Sequence, residues 1–382
     1  MKSENSIDVI LVDSSLFTAP YDAALTEGLI AVGAEVRWAV RPLRDGDRQE
    51  IRKECCDPFF YRWIEKIDFL PNFLWKILKG IAHLWGLLLL LSKVIVSRPD
   101  VVHFQWLVIP YIDTAFIRII KIICPVVITV HDTTPFNGDK LSLAQKFGFD
   151  APLKIANKLI VHTFSAKKVL MGRGIDDKKI SVIPHGPLSL HVPIPITPIE
   201  RRDKRVTFVM FGEIKPYKGL DILIEAVEEM QSEIRSNTRF IVAGRPRMDL
   251  SEIYRFIREK KISQFFDIRE GRLSEEEMAI LFDEADCFVF PYRQIDASGV
   301  YFLVKGLGKK IIASRVGIFA EDIVEDGFNI LINKENRAEL RHALEEVASK
   351  PTDCDYKNSK NIGWEDIGRM TVNLYLSCKE LA

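Results

Sequence analysis

Two short segments carry residues whose types and spacing suit chemistry. The first is Phe211-Gly212-Glu213-Ile214-Lys215-Pro216-Tyr217-Lys218-Gly219-Leu220. An apolar run ends at Gly212, a lysine-bearing turn follows, and a helix is expected from Leu220. That order sets Lys215 and Lys218 at the C-terminal edge of a strand, beside a helix N-terminus. Two ammonium groups and free backbone N–H groups there suit a diphosphate. Two lysines on an ordinary exposed turn would look the same. The second segment is Pro291-Tyr292-Arg293-Gln294-Ile295-Asp296-Ala297-Ser298-Gly299-Val300. Ser298, Gly299 and Val300 would open a helix with their N–H groups turned toward a ligand. Tyr292 is placed to stack on or border a base, and Asp296 to hydrogen-bond a hydroxyl-rich sugar. The plain alternative for Ser298 is a helix cap.

Several chemistries are disfavoured. The turn after the opening strand reads DSSLFTAPY, without the G-x-G-x-x-G that lets a backbone hug a pyrophosphate, which counts against a dehydrogenase. No His, Cys or carboxylate set shows metal-ligand spacing, and no serine nucleophile elbow is present. No metal or other cofactor is therefore expected. The six cysteines form no CxxC or framework pattern, and Cys124 and Cys287 lie in apolar runs as buried thiols, a usage that suits a reducing cytosol. Formal net charge is +0, so nucleic-acid binding lacks electrostatic support. Residues 1–190 carry 24 Lys and Arg against 20 Asp and Glu, and the remainder 29 against 33. The mildly basic first half fits an anionic membrane surface. The opening MKSENSIDV is polar and runs into a strand, so no signal peptide is expected.

The elements that must position these residues follow one rhythm. Ile7–Val12, Glu35–Val40, Val101–Phe104, Val126–Val130, Lys158–His162 and Ile180–Ile183 are short, apolar and separated by helical stretches, the first of them near Asp22–Val32 with Asp22 as its cap. His191–Pro198, HVPIPITP, breaks the pattern, since proline at that density fits neither a helix nor a sheet interior. The alternation then restarts with Val206–Phe211, a helix from Leu220, and strands at Arg239–Ala243, Phe266–Arg269, Cys287–Phe290, Lys310–Ala313 and Ile330–Ile332. The expected fold is α/β: two facing Rossmann-like, doubly wound domains with a ligand cleft between the C-terminal edges of their sheets. The expected divisions are 1–190 for the first domain, 191–205 for a linker, 206–360 for the second domain and 361–382 for a last segment.

One stretch, residues 69–92 (FLPNFLWKILKGIAHLWGLLLLLS), resembles a membrane segment. Lys76, Lys79 and His83 interrupt it, and its unbroken apolar part, Leu84–Leu91, is far short of the ~20 residues a span needs. It reads as a buried core helix or as a helix lying in the bilayer interface with its lysines snorkelling.

Taken together, FVMFGEIKPYKGLDILIEA, FIVAGRP, LFDEADCFVFPY, GLGKKIIASRVGIFAEDIVEDGFNILI and the late Trp364-Glu365-Asp366 resemble the C-terminal half of the family 4 glycosyltransferases, which have the GT-B fold. The likeness runs with gaps from about Val206 to the end. PDVVHFQW, VVITVHD and KISVIPHG match the first half more loosely. The resemblance implies metal-independent transfer from a nucleotide sugar held as substrate, and a last helix, here from about Trp364, that crosses back onto the first lobe. Gly212 and Lys218 match the family's phosphate-binding glycine and lysine, Gly244 of FIVAGRP joins the donor site, and His131 matches the strand-end histidine that faces the sugar. There an imidazole hydrogen-bonds the sugar or handles a proton. His185 reads as structural, and His103 closes a strand near the acceptor side.

The chain departs from the family pattern in two places. Glu213 stands where the family has arginine, and Lys215 on the same turn is expected to restore the positive charge. The family's glutamate pair is missing: Ile295 and Leu303 fall at those positions, Asp296 is the nearest acid, and the loop resembles a branch carrying SGV. Ribose recognition is then arranged differently, and both stereochemical outcomes stay open, with His131 or Asp132 as the base an inverting reaction would need. The implied activity is hexosyl transfer from a UDP- or GDP-sugar to a glycan or lipid-linked acceptor in polysaccharide or glycolipid assembly. The setting is cytoplasmic, with peripheral membrane contact through 69–92, and the oligomeric state is left open. A catalytically weak GT-B binding partner, or a nucleotide-sugar epimerase, are the rival readings.

Overall fold

A computed structural model describes residues 6–66, 71–134, 148–193, 205–325, 327–350 and 362–379. The chain divides into two compact units, Met1–Gly186 with Ile362–Ala382, and Pro187–Asn361. The second begins ahead of the expected linker at 191, because Leu188 and Leu190 pack into its core and the Leu188 N–H bonds to Phe302. Most of that linker, residues 194–204, lies outside the described residues, as do Phe69 and Leu70.

The first unit is built on a seven-stranded sheet of β1 (Asp8–Asp13), β2 (Glu35–Val40), β3 (Cys56–Pro58), β4 (Val101–Phe104), β5 (Val126–Thr129), β6 (Lys158–Val161) and β7 (Ile180–Val182). The order is β3-β2-β1-β4-β5-β6-β7 and every neighbouring pair is parallel. Its inner strands are apolar on both faces, as a sheet covered by helices on two sides requires. Helices α1 (Ala19–Ala31), α2 (Asn72–Ser97), α3 (Pro110–Ile120), α4 (Asp150–Ile155) and α5 (Phe164–Gly172) accompany it. One core lies under α2 and α3, with Leu87, Leu90, Val94, Ile117 and Ile120 against Ile10, Val102 and Ile128.

Helix α1 starts earlier than Asp22. Pro20 sits in its first turn, where a missing N–H costs nothing, and Thr18 is the residue before it. Asp22 is therefore not the cap but a fully buried side chain one turn inside. Helix α2 likewise runs to Ser97, beyond the expected end at Ser92.

The second unit has a six-stranded sheet, β10-β9-β8-β11-β12-β13, again all parallel. Its strands are β8 (Val206–Phe211), β9 (Thr238–Gly244), β10 (Phe266–Glu270), β11 (Cys287–Phe290), β12 (Lys310–Ser314) and β13 (Ile330–Ile332). The helices are α6 (Leu220–Glu228), α7 (Ser232–Ser236), α8 (Ser251–Glu259), α9 (Glu275–Glu284), α10 (Gly299–Lys305), α11 (Gly317–Asp322) and α12 (Arg337–Ser349). A capping box fixes the start of α9: Ser274 accepts from the Glu277 N–H while the Glu277 carboxylate accepts from that of Ser274.

The last helix, α13 (Trp364–Lys379), belongs to the first unit, where it packs on α1. The two helices touch backbone to backbone: a Cβ on Gly28 would stand 2.1 Å from the Trp364 carbonyl oxygen, and one on Gly368 2.1 Å from that of Gly28. Tyr375 of α13 reaches the sheet, its hydroxyl 2.6 Å from His103 Nδ1 on β4.

Candidate active site

The lysine-bearing turn sits at the C-terminal edge of β8, the edge where open α/β sheets bind ligands. The loops after β8 and β9 are zipped together, Ile214 N–H bonding to the Arg245 carbonyl and Arg247 N–H to that of Ile214. Two glycines permit the approach. Gly212 has φ +105°, and Gly244, at φ +151°, lies so close that a Cβ there would stand 2.0 Å from the Gly212 carbonyl oxygen. Any side chain at 244 would push the loops apart.

Lys218 is the chemical centre of this turn. It is 7% exposed, and its Nζ would lie 2.9 Å from a Cβ placed on Gly212, beside a Val300 methyl at 3.0 Å. The ammonium stands over the Tyr292 ring, 5.3 Å from the centroid. No carboxylate among the described residues lies within ion-pair distance of it. Burial lowers its pKa to about 8, with Glu213 opposing and Lys215 adding to the fall. A buried cation with a bare glycine in front of it is what an anionic oxygen would complete.

Glu213 is neutralised locally. Arg247 pairs with it at 2.6 Å and Lys215 at 3.3 Å, and together they hold its carboxyl below the usual glutamate range. Lys215 thus offsets Glu213 rather than standing beside Lys218 as a second uncommitted cation. The net positive charge on the turn is restored by Arg247, a residue sequence reasoning missed. Arg293 was missed as well. It makes two bonds to Asp221, at 2.6 and 3.0 Å, and donates to the Pro216 carbonyl at 2.7 Å, while its own N–H bonds to the Tyr217 carbonyl at 2.7 Å. It clamps the turn that presents Lys218.

The second segment is only partly as expected. Tyr292 presents no face to a base: its ring is 0% exposed, packed edge-on against Tyr217 at 5.8 Å and against Phe290 and Phe319. An aromatic directly after a buried strand is pulled into the core, and here it becomes the floor beneath Lys218. Burial pushes its phenol well above the ordinary range, Tyr217 adds to this, and Ser298 opposes it. Ser298 is the cap of α10, accepting from the Tyr301 N–H at 3.4 Å. A Cβ on Gly299 would meet nothing within 4 Å, so that position is open. Asp296 is half-buried, and its backbone carbonyl accepts from Ile318.

In the first unit, His131 follows β5 and Asp132 lies beside it. Both line a cavity with Gln105, Trp106, Phe149 and Leu153. His131 Nε2 is 3.0 Å from the Gln105 Oε1, which makes Nε2 the protonated nitrogen and leaves Nδ1 as an acceptor. Trp106 stacks on the imidazole at 5.2 Å and 13°. That indole is itself held, donating to Thr18 Oγ1 at 3.0 Å. His162 and Tyr21 crowd the other sides. Burial, then His162, His185 and His103, hold the His131 pKa well below 6.5, so at neutral pH it is a neutral ring whose Nδ1 can accept a hydrogen bond. His185 contacts Trp364 and donates to the Gly186 carbonyl at 2.6 Å, and His103 is fully buried between Tyr375 and Thr129.

Beneath Thr18 lies a pair of buried acids that the sequence did not reveal. Asp13 accepts from the N–H groups of Ser15 and Thr18, each at 3.2 Å, and Asp22 accepts from the Thr18 hydroxyl at 3.3 Å. Burial and the mutual repulsion of the two carboxyls raise Asp22 well above its ordinary value. The Asp22 Oδ2 has no donor among the described residues, so a proton shared with Asp13 is what satisfies it.

Comparisons with known proteins give the family and the fold. Residues 23–186 match the family described as Glycosyltransferase Family 4, and residues 205–350 match Glycosyl transferases group 1. No curated protein sequence is significantly similar to the chain. Among solved structures, Anabaena Alr3699/HepE in complex with UDP and glucose is similar over 97% of this chain and 100% of its own, with TM-score 0.67 and 13% identity. Sucrose-phosphate synthase from Thermosynechococcus elongatus is similar over 98% and 100%, with TM-score 0.67 and 14% identity. WaaG, a glycosyltransferase involved in lipopolysaccharide biosynthesis, is similar over 98% of each chain, with TM-score 0.61 and 13% identity. At such identities the structures speak for the fold, while the two family matches, one in each unit, speak for the activity. The chain belongs to the group 1 and family 4 glycosyltransferases and has their GT-B fold.

Proposed function

We propose that the enzyme moves a hexosyl group from a UDP- or GDP-sugar to a glycan or lipid-linked acceptor in polysaccharide or glycolipid assembly, in the cytoplasm and without a metal ion. The observation that carries the reading is Lys218, a buried ammonium with no carboxylate partner among the described residues, its Nζ set in the space that the missing side chain of Gly212 leaves open. As the sugar leaves, negative charge grows on the diphosphate, and a fixed cation in a dry site stabilises it without reorganising. On the first unit, the neutral His131 accepts from a substrate hydroxyl through Nδ1, its ring fixed by Trp106 and Gln105. Asp132 beside it is the second candidate for proton transfer. Gly244 keeps the two loops close, Val300 borders the ammonium, and Ser298, Gly299 and Asp296 line the approach.

The test is a thermal-shift series with UDP, GDP, ADP and their common sugar conjugates. A ligand at 100 times its Kd adds about 2.7 kcal/mol. Stabilisation by one diphosphate, lost in Lys218→Ala, supports the donor site and names the nucleotide. No response to any of them overturns it.

A second reading is favoured by one observation. The position of the family arginine is taken by Glu213, engaged by Arg247 and Lys215, and the family's glutamate pair is absent. A binding protein with little turnover fits that loss. Donor hydrolysis and transfer assayed separately from binding decide between them, since the second reading predicts binding without product.

A further inference from the structure

Two buried carboxyls of the first unit grip one residue. Asp13 at the end of β1 and Asp22 near the start of α1 are both fully buried. Thr18 is held by each of them: its N–H donates to Asp13 Oδ2 at 3.2 Å, and its hydroxyl donates to Asp22 Oδ1 at 3.3 Å. Taking two acids out of water together is costly, and a turn between a strand and a helix does not require it. Thr18 stands directly ahead of α1, where a hydroxyl ordinarily accepts from an N–H of the first turn, yet it makes no such bond. Its oxygen accepts instead from the Nε1–H of Trp106, 88 residues away, at 3.0 Å.

That bond continues toward the site. The hydroxyl has one proton, and since Asp22 takes it, a lone pair of the oxygen is left aimed at the indole. Each bond polarises the next. The indole, tilted against Phe17 at 5.4 Å and 57°, lies nearly parallel to the His131 ring, 5.2 Å away and 13° off. Stacking sets the plane of the imidazole but does not by itself fix its rotation within that plane. Gln105 supplies the rotation, its Oε1 accepting from His131 Nε2–H at 3.0 Å. Plane and rotation together decide where the Nδ1 lone pair points. The plane depends on Trp106, and Trp106 is tied to Thr18.

We propose that Thr18, gripped by Asp13 and Asp22, is a positioning residue: through Trp106 it sets the plane of His131 and aims Nδ1 at a substrate hydroxyl. The proposal rests on the reading of His131 as the group that meets that hydroxyl, and it adds residues that act only through another side chain. The acid pair supplies what a lone threonine lacks. A hydroxyl free to rotate offers the indole no fixed lone pair, whereas one tied to a buried carboxyl has a single orientation. Such precision counts, because misplacing a reacting group by about 1 Å can cost about 100-fold in rate. A clasp that merely closed the turn between β1 and α1 would end at Thr18 and would have no use for the indole.

The test compares Thr18→Val, which keeps the shape and removes the hydroxyl, with Thr18→Ser, which keeps the hydroxyl. Trp106→Phe retains a ring for stacking but has no N–H, and so breaks the same bond from its other end. The full chain, labelled with nitrogen-15 in its histidines, reports the His131 ring by NMR with no substrate present, and His131→Ala identifies its signals. The wild type and Thr18→Ser should show an Nε2–H in slow exchange with water. In Thr18→Val and Trp106→Phe that signal should broaden or vanish as the ring leaves Gln105. Hydrolysis of UDP-glucose or GDP-mannose, whichever the protein binds, should slow by about tenfold or more in those two variants with donor KM unchanged. Neither substitution should slow His131→Ala further. An unchanged Nε2–H signal in Thr18→Val and Trp106→Phe, a serine variant as impaired as the valine, or an added loss on top of His131→Ala would each overturn the proposal. An altered signal with an unaltered rate would uphold the linkage from Thr18 and remove His131 from the reaction, so the two readings fail separately.

Discussion

The Nζ of Lys218 occupies the space in front of Gly212, 2.9 Å from where a Cβ would be. Glycine and lysine are therefore one device: the first clears the room and the second fills it with charge. Gly212→Ala must displace the ammonium or move the loop, and at φ +105° alanine is strained as well. Diphosphate affinity is expected to fall by about 100-fold, read by calorimetric titration. Retained affinity would break the link between the two residues.

The same burial makes Lys218 costly to the empty enzyme. With its pKa lowered from 10.5 to about 8, keeping it charged costs about 3 kcal/mol at neutral pH. Lys218→Met is expected to abolish diphosphate binding and at the same time raise Tm by several degrees. The native lysine releases its proton near pH 8 and the unfolded one near 10.5, so wild-type stability rises between those values. The variant should lack that rise. Diphosphate affinity of the wild type should fall as pH rises through about 8. Calorimetric scans across pH read both effects, and a less stable Lys218→Met protein would contradict the account.

His131 is held well below its ordinary pKa, and its neutral form is the one that accepts a proton. Transfer activity should therefore show no acid limb attributable to it between pH 7 and about 6. His131→Ala should lower kcat by about 100-fold with donor affinity in the second unit unchanged. An imidazole limb near pH 6.5 that vanishes in the variant would show that the ring is not desolvated as described.

Asp22 carries the opposite sign. A carboxyl raised above its unfolded value stabilises the native state at low pH and loses that contribution as pH climbs through the raised value. Asp22→Asn keeps a donor for Asp13 without the proton. It should leave stability near pH 4 little changed and raise it at pH 8 by about 1 kcal/mol or more, measured by urea unfolding. Equal effects at both pH values would show that no shared proton is involved.

His83→Ala strands Asp113 and Tyr61 in the core and is expected to cost about 3 kcal/mol in unfolding free energy. Tyr61→Phe, which removes only the hydroxyl, should cost about 1 kcal/mol. If the two losses are alike, the Asp113 leg contributes little.

What the sequence disclosed was whatever is local. The short β-branched runs gave nearly every strand, and Gly212 and Lys218 stand on one turn that survives being read in one dimension. Partnerships across the chain were hidden. The Tyr375 that caps His103 is 272 residues away, Arg293 clamps Asp221 from 72 residues away, and Asp13 and Asp22 meet only because α1 folds back over the end of β1. Tyr292 shows the reverse failure. Its neighbours in sequence suggested a ligand wall, whereas its neighbours in space are Phe290, Phe319 and Tyr217. Cys124 and Cys287, read as buried thiols from apolar flanks alone, are buried.

The return of α13 to the first unit sets an order on the making of the protein. A nascent chain that has emerged through Ser349 contains every described strand of both sheets, yet α1 still lacks the helix that meets it at Gly368 and β4 the hydroxyl that meets His103. Every described helix and strand of the second unit is already present at that point, so it can close while the first, begun earlier on the ribosome, waits with an unsealed seam. Chains cut short before Trp364 are thus expected to be captured by chaperones through their older half, the half synthesised first and finished last.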